Sequence, residues 1–122
     1  MPPPAPRPTL APMADYYKHE HLEGFGSVSS ASPELGKKFF DYYNAVFAEG
    51  ALTEREKCLI ALAVAHTVQC PYCIDAYTSE SLAKGADLEQ MTEALHVAVA
   101  IRGGASLVHG MQMRESAKKA GM

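Results

Sequence analysis

The chain has 122 residues, enough for one domain built around one core and too few for a two-domain enzyme. Hydrophobic residues make up 48 % and charged residues 20 %, the balance of a chain that folds rather than one that stays disordered. Eleven Lys and Arg against 14 Asp and Glu give a net charge of -3, and no basic stripe runs along the sequence, so no nucleic-acid partner is expected.

Residues 1–14 read as a flexible Pro-rich tail, because six of the eight prolines stand there and proline favours an extended, solvated backbone. Residues 15–122 then make up one helical domain. The first residues lack the apolar segment of a secretory signal, and the apolar run Cys58 to Ala65 is far shorter than the roughly 20 residues that span a bilayer. No membrane contact is expected, and the expected location is cytoplasmic. From Tyr16 to Ser32 the glycines Gly24 and Gly26 and several serines permit one short turn and then a loop, with His19 and His21 solvated in a polar segment.

Helix signals follow one another from there. Ser32-Pro33-Glu34 sets a cap before a proline at the first helical position, and Leu35, Phe39, Tyr43 and Phe47 recur every four residues until Gly50. Thr53 with Glu56 forms a capping box ahead of a segment that is apolar on every side, which predicts a buried second helix. Pro71 suits the start of a third helix capped by Cys70 and stopped at Gly85. Asp87 with Gln90 starts a fourth, with Leu88, Met91, Leu95, Ala98 and Val99 on one face up to Arg102. Gly103-Gly104 is expected to interrupt it, and a last helix is expected from Ala105 to about Lys119. The fold class is all-α, with antiparallel neighbours joined by short loops.

Cys70-Pro71-Tyr72-Cys73 places two thiols at a predicted helix start, where free N–H groups and the positive end of the helix dipole stabilise a thiolate. The spacing lets one sulfur attack an oxidised substrate and the other resolve the intermediate. Two other readings stay open: inert core cysteines, or half of a zinc site whose remaining ligands would come from Cys58 and the five histidines. A thiol mechanism calls for no cofactor.

The stretch Leu52 to His66 (Leu-Thr-Glu-Arg-Glu-Lys-Cys-Leu-Ile-Ala-Leu-Ala-Val-Ala-His), followed by Cys70-Pro-Tyr-Cys73-Ile-Asp-Ala-Tyr77, resembles the superfamily of carboxymuconolactone decarboxylase and alkylhydroperoxidase D. Tyr16-Tyr17, Phe39-Phe40, Tyr42-Tyr43, Glu49-Gly50-Ala51 and the segment Ala100 to Gly110 look like its arsenosugar biosynthesis-associated peroxidase-like branch. The resemblance covers roughly residues 15 to 113. It implies an alkylhydroperoxidase D-like helical fold and a homotrimer or homohexamer. It also implies a peroxidase or disulfide reductase whose partners are a small-molecule peroxide or disulfide and a dithiol reductant. A lyase is the other activity the superfamily name permits, and an arsenic-binding role without turnover is the third reading.

The family surrounds its dithiol with a glutamate twelve residues before the first cysteine and a histidine four after the second. Here those positions hold Cys58 and Tyr77. Glu54, one turn before Cys58, is a candidate to reach the site, and so is His66, which ends the buried helix one turn before Cys70 and titrates near neutral pH. Tyr77 can donate a hydrogen bond to a thiolate or a bound oxygen. Cap physics favours Cys70 as the low-pKa thiol, whereas the resemblance favours Cys73 as the one that meets peroxide. Cys58 reads either as a small buried hydrophobe or as a third thiol that, with Cys70 and Cys73, would suit trivalent arsenic. His96 and His109 are read as packing residues. Part of the aromatic set Phe39, Phe40, Tyr42, Tyr43 and Phe47 is expected to face another subunit.

Overall fold

Three of the four long helices begin at a side chain that accepts a hydrogen bond from the helix start, Thr53, Cys70 or Asp87, whereas Ser32, expected to cap the first of the four, makes no such bond. In the computed structural model, which describes residues 18–121, a short helix α1 (His19–Glu23) and one 3₁₀ turn (Phe25–Ser27) precede α2 (Pro33–Phe47), α3 (Glu54–Thr67), α4 (Pro71–Ala83) and α5 (Leu88–Lys119). No strand occurs among the described residues. The Pro-rich tail, Tyr16 and Tyr17 lie outside them.

The capping boxes form as the sequence predicts. Glu56 N–H donates to the Thr53 hydroxyl at 3.1 Å while Thr53 N–H donates to the Glu56 carboxylate at 2.9 Å. Asp87 and Gln90 repeat the exchange at 2.8 and 3.1 Å. The Thr53 contacts hold the Glu56 carboxyl below the usual carboxylate range.

Gly103-Gly104 does not break the fourth helix. α5 runs through it for 32 residues, about 48 Å at 1.5 Å per residue. A new helix starting at Ala105 would leave its first N–H groups without a capping side chain, whereas two glycines inside a long ladder cost only about 1 kcal/mol each.

α3 lies against both α4 and α5. Leu62 of α3, Ala86 before α5 and Met91 of α5 form the core, with Leu59 and Tyr77 packed on it. The predicted buried helix is therefore buried along one stripe, Cys58, Leu62 and Ala65, while Ile60 and Val64 face outward about half exposed. Four residues assigned to inner faces, Leu35, Phe39, Leu88 and Val99, are exposed in the single chain; Leu35 and Leu88 stand in the first turn of their helices, outside the packed stripe. α2 is held largely by aromatic rings and by Lys57, whose ammonium donates to the carbonyls of Val46 and Ala48 at 2.7 and 2.6 Å and so covers the C-terminal end of α2.

Two reversals of the same type position α4. At its end, Gly85 has φ +90°, its N–H donates to Leu82 O at 3.1 Å, and the next N–H, of Ala86, donates to Ser81 O at 2.9 Å, bringing Ala86 into the core. Before its start, Gln69 has φ 57°, its N–H donates to His66 O at 3.2 Å, and Cys70 N–H donates to Ala65 O at 3.0 Å. Arg102 of α5 donates to the Thr67 carbonyl in the same turn. A Cβ at Gly85 would meet nothing within 4 Å, so only the backbone opposes a side chain there. Gly85→Ala should therefore lower unfolding stability by about 1 kcal/mol, and Gln69→Gly should not lower it, as measured by urea denaturation.

Candidate active site

Cys70 is at once the residue after the reversal that closes α3 and the N-cap of α4. Its extended backbone (φ -104°, ψ 100°) turns the side chain over the helix start, and Cys73 N–H points at Cys70 Sγ from 3.3 Å. Pro71 occupies the first helical position, where no N–H is needed. Cys70 and Cys73 are joined as a disulfide with a Cα–Cα distance of 5.3 Å, and both are half-buried. On reduction, the N–H that points at Cys70 Sγ, together with the helix dipole, favours charge on that sulfur.

Three cavities meet around Tyr43 and Tyr77. The first, about 420 Å³, is lined by both cysteines together with His21, Phe25, Phe40 and Tyr72. A second, about 550 Å³, reaches Cys73 between Phe47 of α2 and Ile60 and Val64 of α3, and its walls are almost wholly apolar. The third, about 450 Å³, is polar and holds Cys58, Glu54, Glu80 and Lys84. Cys73 is thus open to two cavities and Cys70 to one. Tyr77, one turn after Cys73, stacks on Phe47 with centroids 5.1 Å apart and an interplanar angle of 17°. Rings then follow along α2 from Phe47 through Tyr43 and Phe40 to Phe25, with centroids 5.0 to 6.4 Å apart.

Of the residues singled out in the sequence, Cys70, Cys73 and Tyr77 come together. His66 does not join them: its Nδ1 sits 2.8 Å from the Leu62 carbonyl of its own helix, and it lines none of these three cavities. Glu54 lies in the polar cavity, where its carboxylate pairs with Lys84 at 2.8 Å and raises the lysine pKa. Cys58 shares that cavity and not the one with the disulfide, so the three sulfurs do not converge, and no cluster of three metal-binding side chains occurs among the described residues. His96 and His109 are exposed.

Two contributors escaped the sequence reading. Glu80 stands three residues after Tyr77 and seven after Cys73, a spacing that puts it on the same helix face and could have flagged it. His21 reaches Tyr72 across 51 residues, a separation no local pattern reveals.

The sequence profile of the carboxymuconolactone decarboxylase family matches residues 33–115. The chain belongs to this family. A protein of the cox locus of Paracoccus denitrificans, itself uncharacterized, is 40 % identical over 97 residues, covering 80 % of this chain and 87 % of that one. A solved structure from Methanobacterium thermoautotrophicum aligns with a TM-score of 0.66 at 34 % identity, over 69 % of this chain and 94 % of its own. The apo form of a carboxymuconolactone decarboxylase family protein from Legionella pneumophila aligns with a TM-score of 0.62 at 29 % identity, over 83 % and 95 %. In this family member no described helix is long and apolar enough to cross a membrane.

Burial, and after it the carboxylate of Glu80, push the Cys58 thiol above its ordinary pKa, with Lys84 opposing. Burial, and then Cys58, push the Tyr43 phenol up as well. Cys58 therefore stays protonated in the folded chain while the unfolded chain releases its proton from about pH 8.5 upward. The sign follows: this contribution is intact below that pH and is lost as pH rises through the folded-state value. Between pH 8 and 10 the melting temperature of the wild type should fall more steeply than that of Cys58→Ala, as followed by circular dichroism at matched ionic strength.

Proposed function

We propose that this carboxymuconolactone decarboxylase family member is a thiol oxidoreductase in which Cys70 and Cys73 cycle between dithiol and disulfide. The observation that carries the reading is the pair itself, formed at the start of α4 with both cysteines lining a common cavity. With a hydroperoxide, a thiolate attacks the outer oxygen, the O–O bond breaks, and an alcohol leaves as the attacking cysteine becomes a sulfenic acid. The second thiol then displaces water from that sulfur and closes the disulfide, which an external dithiol reduces by two successive exchanges. With a disulfide as substrate, the same thiolate attacks one sulfur and the second cysteine resolves the mixed disulfide. Tyr77 supplies a phenol beside Cys73 that can donate to the departing oxygen.

Access supports Cys73 as the attacking sulfur, since two cavities reach it, whereas the amide at Cys70 Sγ supports Cys70. Mass spectrometry of Cys70→Ser and Cys73→Ser after one equivalent of hydroperoxide decides between them: the variant that keeps the attacking cysteine should trap a sulfenic acid. Steady-state consumption of peroxide or of a small disulfide with a dithiol reductant is expected for the wild type and at less than about 1 % of that rate for either variant. Stoichiometric thiol loss without turnover would instead favour the binding role toward trivalent arsenic.

The same reading includes a homo-oligomer. Ile101, Leu107, Val108, Met111 and Met113 of α5 are each 60 to 80 % exposed in the single chain, more apolar surface than a helix keeps in water without a partner. Light scattering at micromolar concentration should give a mass several times 13.1 kDa, and Leu107→Glu with Met111→Glu should reduce it. A monomeric wild type would overturn this part.

A further inference from the structure

We propose that the second half of α5 from a neighbouring copy lies on the apolar groove between α2 and α3 and closes the cavity that reaches Cys73; the proposal rests on the homo-oligomer of the reading above and names the surfaces that meet. α5 is buried against its own chain only in its first half. Met91 and Ala98 are buried, Arg102 donates to the Thr67 carbonyl where α3 ends, and after Ala98 no residue of the helix is buried. Residues 99–119 therefore make about 31 Å of helix with no packed face, at 1.5 Å per residue. Leu107 and Met111, one turn apart, are 80 % and 60 % exposed. Gly103 heads the same row and leaves it open to close approach, since nothing lies within 4 Å of where its Cβ would stand.

The same chain carries an apolar surface that no described residue covers. Because Leu62 and Ala65 turn one side of α3 to the core, Ile60, Val64 and Val68, at i, i+4 and i+8, form a ridge on the other side and are each at least half exposed. With Val46, Phe47 and Leu52 this ridge borders the cavity of about 550 Å³ that Cys73 also lines. Lys57 borders it too, with its ammonium already given to the carbonyls of Val46 and Ala48, so a cover leaves those hydrogen bonds in place. The chain's own α5 sits on the opposite side of α3 and is one continuous helix, so the cover comes from another copy. Ile60 to Val68 and Gly103 to Met111 are each about 12 Å long, and rows of four-residue spacing interdigitate in the commonest class of helix packing.

The exposed area has the size this contact needs. The chain exposes 10118 Å². Even with the full surface of an unfolded chain assigned to the residues outside 18–121, those within expose about 7300 Å², against about 5700 Å² for a compact chain of their mass. The excess is close to twice the roughly 800 Å² that one partner gives to a standard interface. Each chain then gives one helix end and receives one, and the apolar wall beside Cys73 is completed by Leu107 and Met111 of the partner subunit.

Charges placed on the two surfaces of the full chain test the contact. Val64→Lys and Leu107→Glu should each reduce the mass in light scattering from that of an oligomer to 13.1 kDa, with circular dichroism unchanged because both side chains are exposed in the single chain. Combined in one chain, the two substitutions should restore the wild-type mass at low ionic strength, where lysine meets glutamate across the contact. In reduced Leu107→Glu, iodoacetamide should label Cys73 about threefold faster than in the wild type and Cys70 at an unchanged rate, since Cys73 alone borders the opened cavity. A monomeric wild type overturns the homo-oligomer and the proposal with it. A Val64→Lys protein that keeps the wild-type mass while Leu107→Glu loses it overturns the proposal alone, and leaves the groove to a small apolar molecule or a different chain. An unchanged Cys73 rate in monomeric Leu107→Glu overturns it as well.

Discussion

The structure depends on the three residues that join α3 to α4. Val68, Gln69 and Cys70 close one helix and open the next without a spacer, so the N–H of Cys70 belongs to the end of α3 while its sulfur belongs to the start of α4. Gln69 takes a left-handed conformation that side chains with a Cβ rarely adopt, and the hydrogen bonds on either side of it hold it there. The backbone of Cys70 is thus located by the hydrogen bonds that close α3, and its sulfur by Cys73, through the N–H and the disulfide. A shift of α4 along α3 would have to break those bonds first.

What surrounds this reversal is thin. The core is one small layer, Leu62, Ala86 and Met91, and much of the apolar surface of α3 and α5 faces outward. α2 reaches the site through edge-on and stacked rings ending on Tyr77, so a single tyrosine belongs to the core, to the aromatic series and to all three cavities. Such sharing means that the walls of the site and the contacts that hold α2 are the same atoms. The polar cavity on the far side of Tyr77 is chemically separate: its thiol is kept neutral by burial and by the carboxylates beside it.

Where local rules decide the outcome, the sequence was legible. Thr53 with Glu56, Asp87 with Gln90, Cys70 ahead of Pro71, and Gly85 at a positive φ are short-range patterns, and each marks the helix end observed. Gly103-Gly104 reads as a break but is none, because no side chain there would cap a helix that followed. Within the site, the dithiol was visible as a Cys-x-x-Cys at a helix start, and Tyr77 only through the resemblance, as the residue standing where the family has a histidine. His66 was placed by its distance from Cys70 along the chain, but its ring turned back to a carbonyl four residues earlier, a local bond that competes with any longer reach. His21 is exposed, as its polar segment suggests, and its hydrogen bond to Tyr72 is a tertiary contact that no local pattern reveals.

The aromatic lining has an optical consequence. The chain has six tyrosines and no tryptophan, so its near-ultraviolet emission belongs to phenol rings. Tyr43, Tyr72 and Tyr77 border the cavity lined by the cysteine pair, so half of the tyrosines stand around one cavity. The emission of this carboxymuconolactone decarboxylase family member is therefore weighted toward one cavity, and a probe of that cavity needs no attached dye.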